Sequence, residues 1–487
     1  MPNLRELYIS NNELIEFKSI SNLIDLEILY LDYNNLIDIR KINLLSNLSI
    51  LSLSNNKIDK FGCSFGRINR INLDNNKIES LNLSTCHYLE QFSFISNKLI
   101  NIENTVCQIN NLQFLILENC SLHNVDCLSL SNINLKRLNV NNNMIKNIDL
   151  IMNNLTNIIE LKANNNKIKE INLDNLKKFK LQWLELANNQ IENIDFLSKL
   201  TSLTRLDIES NNITSIDALK NLNKLTRLVL HDNKIEMIDG LENLTNLVVL
   251  TLHKNNIKLI NPLKDLVKLG YLQLNENQIE NIDSLNRLSL LQFLYINRNK
   301  INSISNETFS NLKRVKQLDL SENNLTNLFD CKPFKLEYIN LNNNQLDSID
   351  LLSKFTSLLS VKVNNNRISN LNPDIFILNN NLNKIDFSNN PINNRNYIEK
   401  ISQRLELVFL DKESIKYFSK TKNQRSEYSK GNYKFIKSLN IIIKDQLEYI
   451  DFMVQIEFLR RNIHLNLYHQ EQIERFIALT SILEFQF

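Results

Sequence analysis

Apolar and polar positions recur along most of this chain in one fixed order. Between Leu4 and Ile392, eighteen segments follow the pattern apolar-x-x-apolar-x-apolar-x-x-Asn-x-apolar, and successive segments start about 22 residues apart. The segment LTRLVLHDNKI, at residues 225–235, is representative. Alternation at its first apolar positions, as in Leu228 and Leu230, predicts a short strand with these side chains directed inward.

A repeat of this length predicts a solenoid. One repeat cannot bury its apolar face alone, but stacked repeats can, and their strands then form a parallel sheet on the concave side. The predicted fold class is therefore α/β: a horseshoe-like arc of about eighteen repeats over residues 1–388, with a concave parallel β-sheet and a C-terminal α-helical segment.

An asparagine follows the strand in seventeen of the eighteen repeats, and Cys120 takes its place in the other. The amide carries two donor hydrogens and an acceptor oxygen, so we expect it to satisfy backbone groups of a turn that is otherwise buried. We interpret Cys120 as a tolerated small residue rather than as a reactive thiol. The predicted structural ladder includes Asn34, Asn56, Asn143, Asn166, Asn189, Asn211, Asn233, Asn255, Asn277, Asn299, Asn344 and Asn366.

The repeat pattern stops near residue 389. In residues 389–415, Pro391 opposes further strand pairing, and the four-residue spacing of Ile401 and Leu405 predicts a short helix that caps the core. Residues 416–432 are polar and basic, which is typical of a solvated linker. Residues 433–487 carry apolar residues three or four apart and predict a helical tail, arranged as a hairpin.

The repeats and the cap together resemble the cytosolic class of 22-residue leucine-rich repeats. In that class an Asn-Pro pair, a Tyr, a short helix and a closing L-x-x-L-D follow the last strand. Asn390–Pro391, Tyr397 and Leu407–Asp411 match, whereas Ile398 stands where Arg is common. The class includes the regulatory repeat protein of protein phosphatase 1 and spliceosomal and tubulin-cofactor proteins.

The cap followed by a helical tail is also similar to the leucine-rich-repeat-and-IQ-motif proteins. No I-Q-x-x-x-R-G sequence is present, so calmodulin binding is not implied. The resemblance covers residues 1 to about 415. It implies a protein partner, a cytoplasmic location and possible sites of action at the cilium or the cytoskeleton.

Composition excludes several classes of function. The net charge is +3 over 487 residues with acids and bases interspersed, so we expect no nucleic-acid partner. No run of 18 apolar residues predicts a membrane span, and no signal peptide opens the chain.

Six cysteines are scattered without clusters at the ends of the repeats, which favours a reducing compartment. Strand residues already begin at Leu4 without a cap, so we expect either a fragment or a partner that covers this end.

The register of the predicted strands identifies their outward side chains. One column carries aromatic, basic and apolar residues, and neighbouring columns add acids and a further aromatic residue. Trp, Tyr and Arg are the residues most enriched in binding hot spots, so we expect a protein partner on this concave face. The predicted partner-binding residues are Trp183, Arg205, Arg227, Val249, Tyr271, Phe293, Tyr295, Tyr338, Glu185, Asp207, Glu209, His231, His253 and Arg298.

Three of these residues raise the question of a metal. Glu209, His231 and His253 occupy the same column on adjacent predicted strands, and His and carboxylate side chains are zinc ligands. Structural zinc sites usually take four ligands from tighter motifs, so we favour polar interface residues and predict no metal.

The sequence leaves three candidate functions: a binding scaffold, an enzyme and an adhesin. The sequence contains no phosphate-binding loop, nucleophile elbow or zinc-protease motif, so we predict a non-enzymatic scaffold without cofactor or small-molecule substrate. The resemblance implies a regulatory role like that of the phosphatase regulator, through concave aromatic and acidic residues. The alternative is a secreted or surface adhesin of the internalin type whose signal and N-terminal cap are missing.

Overall fold

The computed structural model describes residues 3–16, 22–62, 65–98, 105–128, 134–173, 178–372, 374–392, 407–410, 427–430, 433–436 and 441–444. Within this part of the chain each repeat contributes a three-residue strand of the form x-apolar-x. The strands are β1 (Glu6–Tyr8), β2 (Ile28–Tyr30), β3 (Ile50–Ser52), β4 (Lys60–Gly62), β5 (Arg70–Asn72), β6 (Ser80–Asn82), β7 (Gln91–Ser93), β8 (Phe114–Ile116), β9 (Arg137–Asn139), β10 (Glu160–Lys162), β11 (Trp183–Glu185), β12 (Arg205–Asp207), β13 (Arg227–Val229), β14 (Val249–Thr251), β15 (Tyr271–Gln273), β16 (Phe293–Tyr295), β17 (Gln317–Asp319), β18 (Tyr338–Asn340), β19 (Ser360–Lys362), β20 (Lys384–Asp386), β21 (Leu407–Leu410), β22 (Glu427–Lys430), β23 (Tyr433–Ile436) and β24 (Ile441–Lys444).

The repeat strands pair in parallel with their neighbours, from β1 to β20, whereas β4 and β6 form a separate two-stranded sheet. The central apolar residues stay aligned: Leu206 pairs with Leu228, and Leu228 with Leu250. These leucines are completely buried, as are the following apolar residues such as Leu230. The predicted parallel sheet over a stacked leucine core is therefore confirmed.

The chain returns between strands through short helical turns. One is an α-helix, α1 (Asp149–Asn154). The others are 3₁₀ helices at Arg40–Leu44, Val106–Gln108, Asp195–Lys199, Asp217–Leu219, Asp239–Leu241, Asn261–Asp265, Asp283–Arg287 and Asp350–Lys354. Most begin at an Asp, where a negative charge favours the first turn. In the described segments, no helix is long and apolar enough to cross a membrane.

The asparagines after the strands bridge consecutive repeats. Nδ2 of Asn255 donates to the carbonyl oxygens of Leu230, Leu252 and His253, at 3.0–3.3 Å. Its Oδ1 accepts from the backbone N–H of Ile235 at 3.0 Å. Every asparagine named in the predicted ladder donates to three carbonyl oxygens in this way. Buried turns thus keep their backbone groups paired.

Cys120 occupies the ladder position of its repeat with similar geometry. Its Sγ lies 3.0 Å from the carbonyl oxygen of Phe94 and 3.4 Å from that of Glu118. Burial raises the pKa of this thiol to about 12. A thiol that stays protonated is a poor nucleophile, so the residue serves the turn rather than chemistry.

Two features differ from what the sequence predicts. Cys107 and Cys127 form a disulfide bond, although their spacing gave no sign of pairing. In the C-terminal region, Glu427–Lys430 is a strand within the predicted linker, and Tyr433–Ile436 and Ile441–Lys444 are strands where a helix is predicted. The β-branched run at residues 441–443 favours a strand once β21 offers a pairing edge. The predicted cap helix near 397–405 and the tail from 445 to 487 lie outside the described residues.

Candidate concave binding face

The outward side chains of the strands lie in registered columns on the concave side. Cα pairing aligns Trp183 with Arg205, and continues through Arg227, Val249, Tyr271, Phe293 and Gln317 to Tyr338. Seven strand spacings make this column about 34 Å long. Glu185, Asp207 and Tyr295 lie in the adjacent column, at the ends of β11, β12 and β16.

The first part of the face, at β10–β13, is a network of charges around Trp183. Lys162 Nζ lies 4.2 Å from the indole ring centroid, and the Arg205 guanidinium carbon lies 4.8 Å from it. These cations come from the two strands beside β11, so they cover the indole ring that the sequence suggested as an exposed anchor. Lys162 also pairs with Glu185 at 3.2 Å, and Arg227 pairs with Asp207 at 3.2 Å.

A separate aromatic cluster, Tyr271, Phe293 and Tyr295, lies on β15 and β16. The ring centroid of Tyr271 is 6.1 Å from that of Phe293 and 5.7 Å from that of Tyr295. The tyrosine hydroxyls donate to glutamines, Tyr271 to Gln273 at 3.2 Å and Tyr295 to Gln317 at 2.7 Å. All three rings are half-buried, so each offers an apolar edge to a partner. The structure does not join Trp183 or Tyr338 to this cluster.

Between the charged part and the aromatic cluster lies a stacked histidine pair. The rings of His231 and His253 are 4.1 Å apart and inclined by 19°. Burial is the main cause that lowers the pKa of both imidazoles, so both are neutral near pH 7. Nearly parallel rings direct their in-plane nitrogens side by side rather than toward one point. Within the described ranges, no group of three His, Cys, Asp or Glu side chains is arranged to hold a metal ion.

Glu209 is adjacent to this pair and is the least compensated acid of the face. Ser210, the residue after it, donates its backbone N–H to the carbonyl oxygen of His231. Burial, and then the neighbouring Asp207, raise the pKa of Glu209 to about 8. Burial also raises the pKa of Asp207 despite its ion pair with Arg227. Removal of two carboxylates from solvent at one place favours an approaching cation.

Several polar atoms of this face are out of contact with solvent and lack a hydrogen-bond partner. They belong to four repeats, those of β11, β12, β14 and β15, on the concave side. They are Trp183 Nε1, Glu209 Oε2, Thr251 Oγ1, His253 Nδ1 and Asn275 Oδ1. Buried polar groups in native proteins are nearly always paired, so a cluster of exceptions requires an explanation such as an absent ligand.

Backbone conformation marks the same part of the solenoid. The residue before each ladder position has a positive φ, between 52° and 58°. Asparagine tolerates this left-handed conformation, and most repeats use it there. Six successive repeats do not, and place Ser210, Asp232, Lys254, Glu276, Arg298 and Glu322 at this position. Strained conformations concentrate at functional sites, so the run favours a site over these repeats.

The left-handed positions also build a charged border. Arg298 lies between two acids, 3.6 Å from Glu276 and 3.0 Å from Glu322. From Asp232 to Glu322 the sign alternates from repeat to repeat. The polar rim of protein interfaces has this character. Sequence reasoning placed Asp232, Lys254, Glu276 and Arg298 on this face but did not predict their left-handed conformation, although the loss of Asn in six consecutive repeats is visible in the sequence. It also missed Asn275.

A smaller aromatic pair lies at the start of the solenoid. The Tyr8 and Tyr30 rings stack with centroids 5.2 Å apart, and Tyr8 is 63% exposed. Tyr33 occupies the left-handed position of its repeat with φ of 53°. This pair is separated from the aromatic cluster by more than ten strands and forms no part of the same surface.

Comparison with known proteins agrees with the architecture. The family model "Leucine Rich repeats (2 copies)" matches residues 180–221 and 202–243, and the model "Leucine rich repeat" matches residues 289–346. No curated protein matches the sequence.

Solved structures share the fold. The leucine-rich-repeat ectodomain of the receptor kinase GASSHO1/SCHENGEN3 from Arabidopsis thaliana is 19% identical, with a TM-score of 0.60, over 84% of this chain and 62% of that chain. The functional domain of InlJ from Listeria monocytogenes is 23% identical, with a TM-score of 0.53, over 79% and 74%. The plant peptide hormone receptor RGFR1 is 19% identical, with a TM-score of 0.53, over 84% and 83%.

At these identities the structural likeness shows the fold alone. Together with the matched repeats, it confirms a leucine-rich-repeat solenoid with a concave parallel sheet. Residues 180–243 and 289–346 therefore carry leucine-rich repeats that family models recognise, within a solenoid of the same fold.

Proposed function

We propose that this protein is a non-enzymatic scaffold that binds a protein partner on the concave face between β11 and β16. The observation that carries the proposal is the cluster of unpaired polar atoms at Glu209, Thr251, His253 and Asn275. Each such atom destabilises the free protein by about 1–3 kcal/mol. A partner that brings complementary donors and acceptors removes this penalty.

The aromatic cluster and the charged border support the same location for the partner. A half-buried Tyr271–Phe293–Tyr295 surface supplies apolar contact area, and Glu276 and Arg298 supply a polar rim. Solved structures of similar fold include the receptor RGFR1 in complex with RGF2 and GASSHO1/SCHENGEN3 in complex with CASPARIAN STRIP INTEGRITY FACTOR 2. Those receptors show that the fold accommodates such partners, and we extend this to the present chain as a proposal.

Affinity capture with matched variants tests the concave face. The test variant combines Tyr271→Ala, Phe293→Ala and Trp183→Ala. The control variant combines Met237→Ala and Leu259→Ala, which truncate apolar side chains that are 72% and 70% exposed and lie outside the strands. Proteins captured by the wild type and the control but lost by the test variant support the proposal.

Circular dichroism of both variants verifies that the solenoid remains folded. Equal recovery of every captured protein by a folded test variant would contradict the concave location. Turnover of a substrate by the purified chain would overturn the non-enzymatic proposal.

The finer role and the location are also proposals. The resemblance to the cytosolic class supports a cytoplasmic scaffold that regulates an enzyme, as the phosphatase regulator does, or that acts at the cilium or the cytoskeleton. In that role, the acids Glu185, Asp207 and Glu209 would hold the partner beside the aromatic cluster. We propose no nucleic-acid partner and no small-molecule substrate.

One observation favours the second candidate, an extracellular adhesin. The disulfide between Cys107 and Cys127 is a type of bond that persists in oxidising compartments and is rare in the cytosol. Alkylation of cells before lysis, followed by peptide mass spectrometry, separates the two locations. Free thiols at both positions support the cytoplasmic scaffold, whereas a linked peptide pair supports the adhesin.

A further inference from the structure

One of the three acids Glu185, Asp207 and Glu209 forms no ion pair with a described residue. Asp207 pairs with Arg227, and Glu185 pairs with Lys162. Glu209 forms no ion pair with a described residue, and its Oε2 is shielded from solvent without a hydrogen bond. The nearby Arg227 already serves Asp207. A cation that completes this arrangement must therefore come from a partner.

Unpaired neutral groups follow Glu209 along the sheet. Thr251, His253 and Asn275 are 8%, 5% and 8% exposed, and each has a polar atom without a partner. A hydroxyl, an imidazole and a carboxamide are suited to the N–H and C=O groups of a peptide backbone. Val229 and Val249, on the strands beside them, are uncharged.

The aromatic cluster lies at the other end of this stretch. From β12, which precedes Glu209, to β15, which holds Tyr271, there are three strand spacings, or about 14 Å. Glu209 also lies four residues further along the strand direction than the register position of Tyr271, so the diagonal distance is about 19 Å, or about six residues of extended chain at about 3.3 Å each. The two ends differ in character: the first suits a cation, and the second suits an aromatic or large aliphatic side chain.

We propose that an extended segment of the protein partner crosses β12–β15, with a Lys or Arg side chain at Glu209 and an aromatic or large aliphatic side chain about six residues away on the Tyr271–Phe293–Tyr295 cluster. Its backbone meets the polar groups of Thr251, His253 and Asn275. The inference rests on the proposed concave-face function and adds the chemistry and spacing of the recognised segment.

Selection from a phage-displayed library of random peptides, about twelve residues long, tests this inference on the full chain. We expect enriched peptides to carry Lys or Arg about five to seven positions from an aromatic or large aliphatic residue. Selection on Glu209→Gln should lose the basic preference and keep the apolar one. The Tyr271→Ala/Phe293→Ala variant should show the converse, and the Met237→Ala/Leu259→Ala control should retain both.

The pH dependence of one selected basic peptide gives a second readout. Glu185, Asp207, Arg227 and the neutral His231 face Glu209 from its own and the flanking strands. Because the bound cation requires ionised Glu209, affinity should rise about tenfold between pH 6.5 and pH 8.5 in the wild type and remain flat in Glu209→Gln.

Three outcomes overturn this inference: no enriched peptides, enriched peptides without the spacing, or an unchanged basic preference in Glu209→Gln. The proposed function is judged separately by the capture experiment with folded proteins. Loss of a captured partner by the concave variant, without peptide enrichment, would retain the scaffold and reject the extended segment. Failure of both experiments would reject both.

Discussion

His231 stacks on His253 just after strands β13 and β14, with ring centroids 4.1 Å apart. The pair fills the middle of the concave face with two neutral rings. In the sequence, both histidines are possible zinc ligands. In the structure, the stacked rings form an apolar surface with polar edges instead. The pair therefore separates the charged part of the face from the aromatic cluster.

Acid should destabilise the protein through this pair. The folded-state pKa of both imidazoles lies below the ordinary value of about 6.5, so the unfolded chain takes up protons first as pH falls. Their stabilising contribution is present above pH 6.5 and is lost as pH falls toward 4. Asp232, Lys254 and Arg227 face the pair.

Urea unfolding between pH 4.5 and pH 7.5 measures this effect. The double variant His231→Gln/His253→Gln should lose less stability on acidification than the wild type, by on the order of 1–2 kcal/mol. His87→Gln, at an exposed position, should follow the wild type. Equal acid sensitivity of the double variant and the wild type would show that the histidines are not the source.

Glu209 should produce the opposite dependence at higher pH. Its folded-state pKa, about 8, is above the ordinary value of 4.5, so the folded protein retains a proton that the unfolded chain has lost. The contribution of neutral Glu209 is complete below pH 4.5 and is lost as pH rises through 8.

The Glu209→Gln variant stays neutral at every pH. Its stability relative to the wild type should increase from pH 4.5 to pH 8.5 by on the order of 2 kcal/mol. Glu236→Gln, an exposed substitution, is the matched control and should show no such trend. A constant difference between Glu209→Gln and the wild type across this range would mean that the carboxyl titrates normally.

The left-handed backbone conformation of the charged border predicts substitutions that stabilise the solenoid. Lys254 has φ of 52°, a conformation that asparagine tolerates better than lysine. Lys254→Asn should therefore raise the free energy of unfolding by about 0.5–1 kcal/mol. Lys258→Asn, which removes the same charge at an exposed position without positive φ, is the control and should not stabilise. Equal effects of the two substitutions would point to charge rather than backbone conformation.

Gly240 predicts a site where one methyl group is not tolerated. A Cβ at this position would lie 2.6 Å from the backbone carbonyl oxygen of Ile216, in the turn of the preceding repeat. Gly240→Ala should destabilise the protein by about 1–3 kcal/mol, since the two turns must move apart.

Gly270→Ala is the matched control, because the nearest atom to its added Cβ is the Val248 carbonyl oxygen at 3.9 Å. Thermal or urea unfolding compares the two variants. Similar stability losses at both positions would attribute the effect to chain flexibility instead of close approach.

The pattern of the sequence determined the repeat architecture because each repeat is a local unit. The alternation around Leu228 and Leu230 identifies inward and outward positions without knowledge of distant residues. The same register gave the parallel sheet, the stacked leucine core and the column from Trp183 to Tyr338. The register alone could not predict that Glu209 lacks an ion-pair partner or that two cations lie over the ring of Trp183.

Tertiary structure decided how the outward side chains combine, because neighbours on the sheet are about 22 residues apart in the chain and select one another's rotamers. It placed Lys162 and Arg205 over Trp183. It also stacked His231 on His253, so the ring nitrogens of the two histidines do not converge on one point. Cys107 and Cys127 likewise meet only because successive repeats bring their turns together. The sequence by itself thus determined which residues face outward, whereas lateral packing between repeats decided which of them can receive a partner.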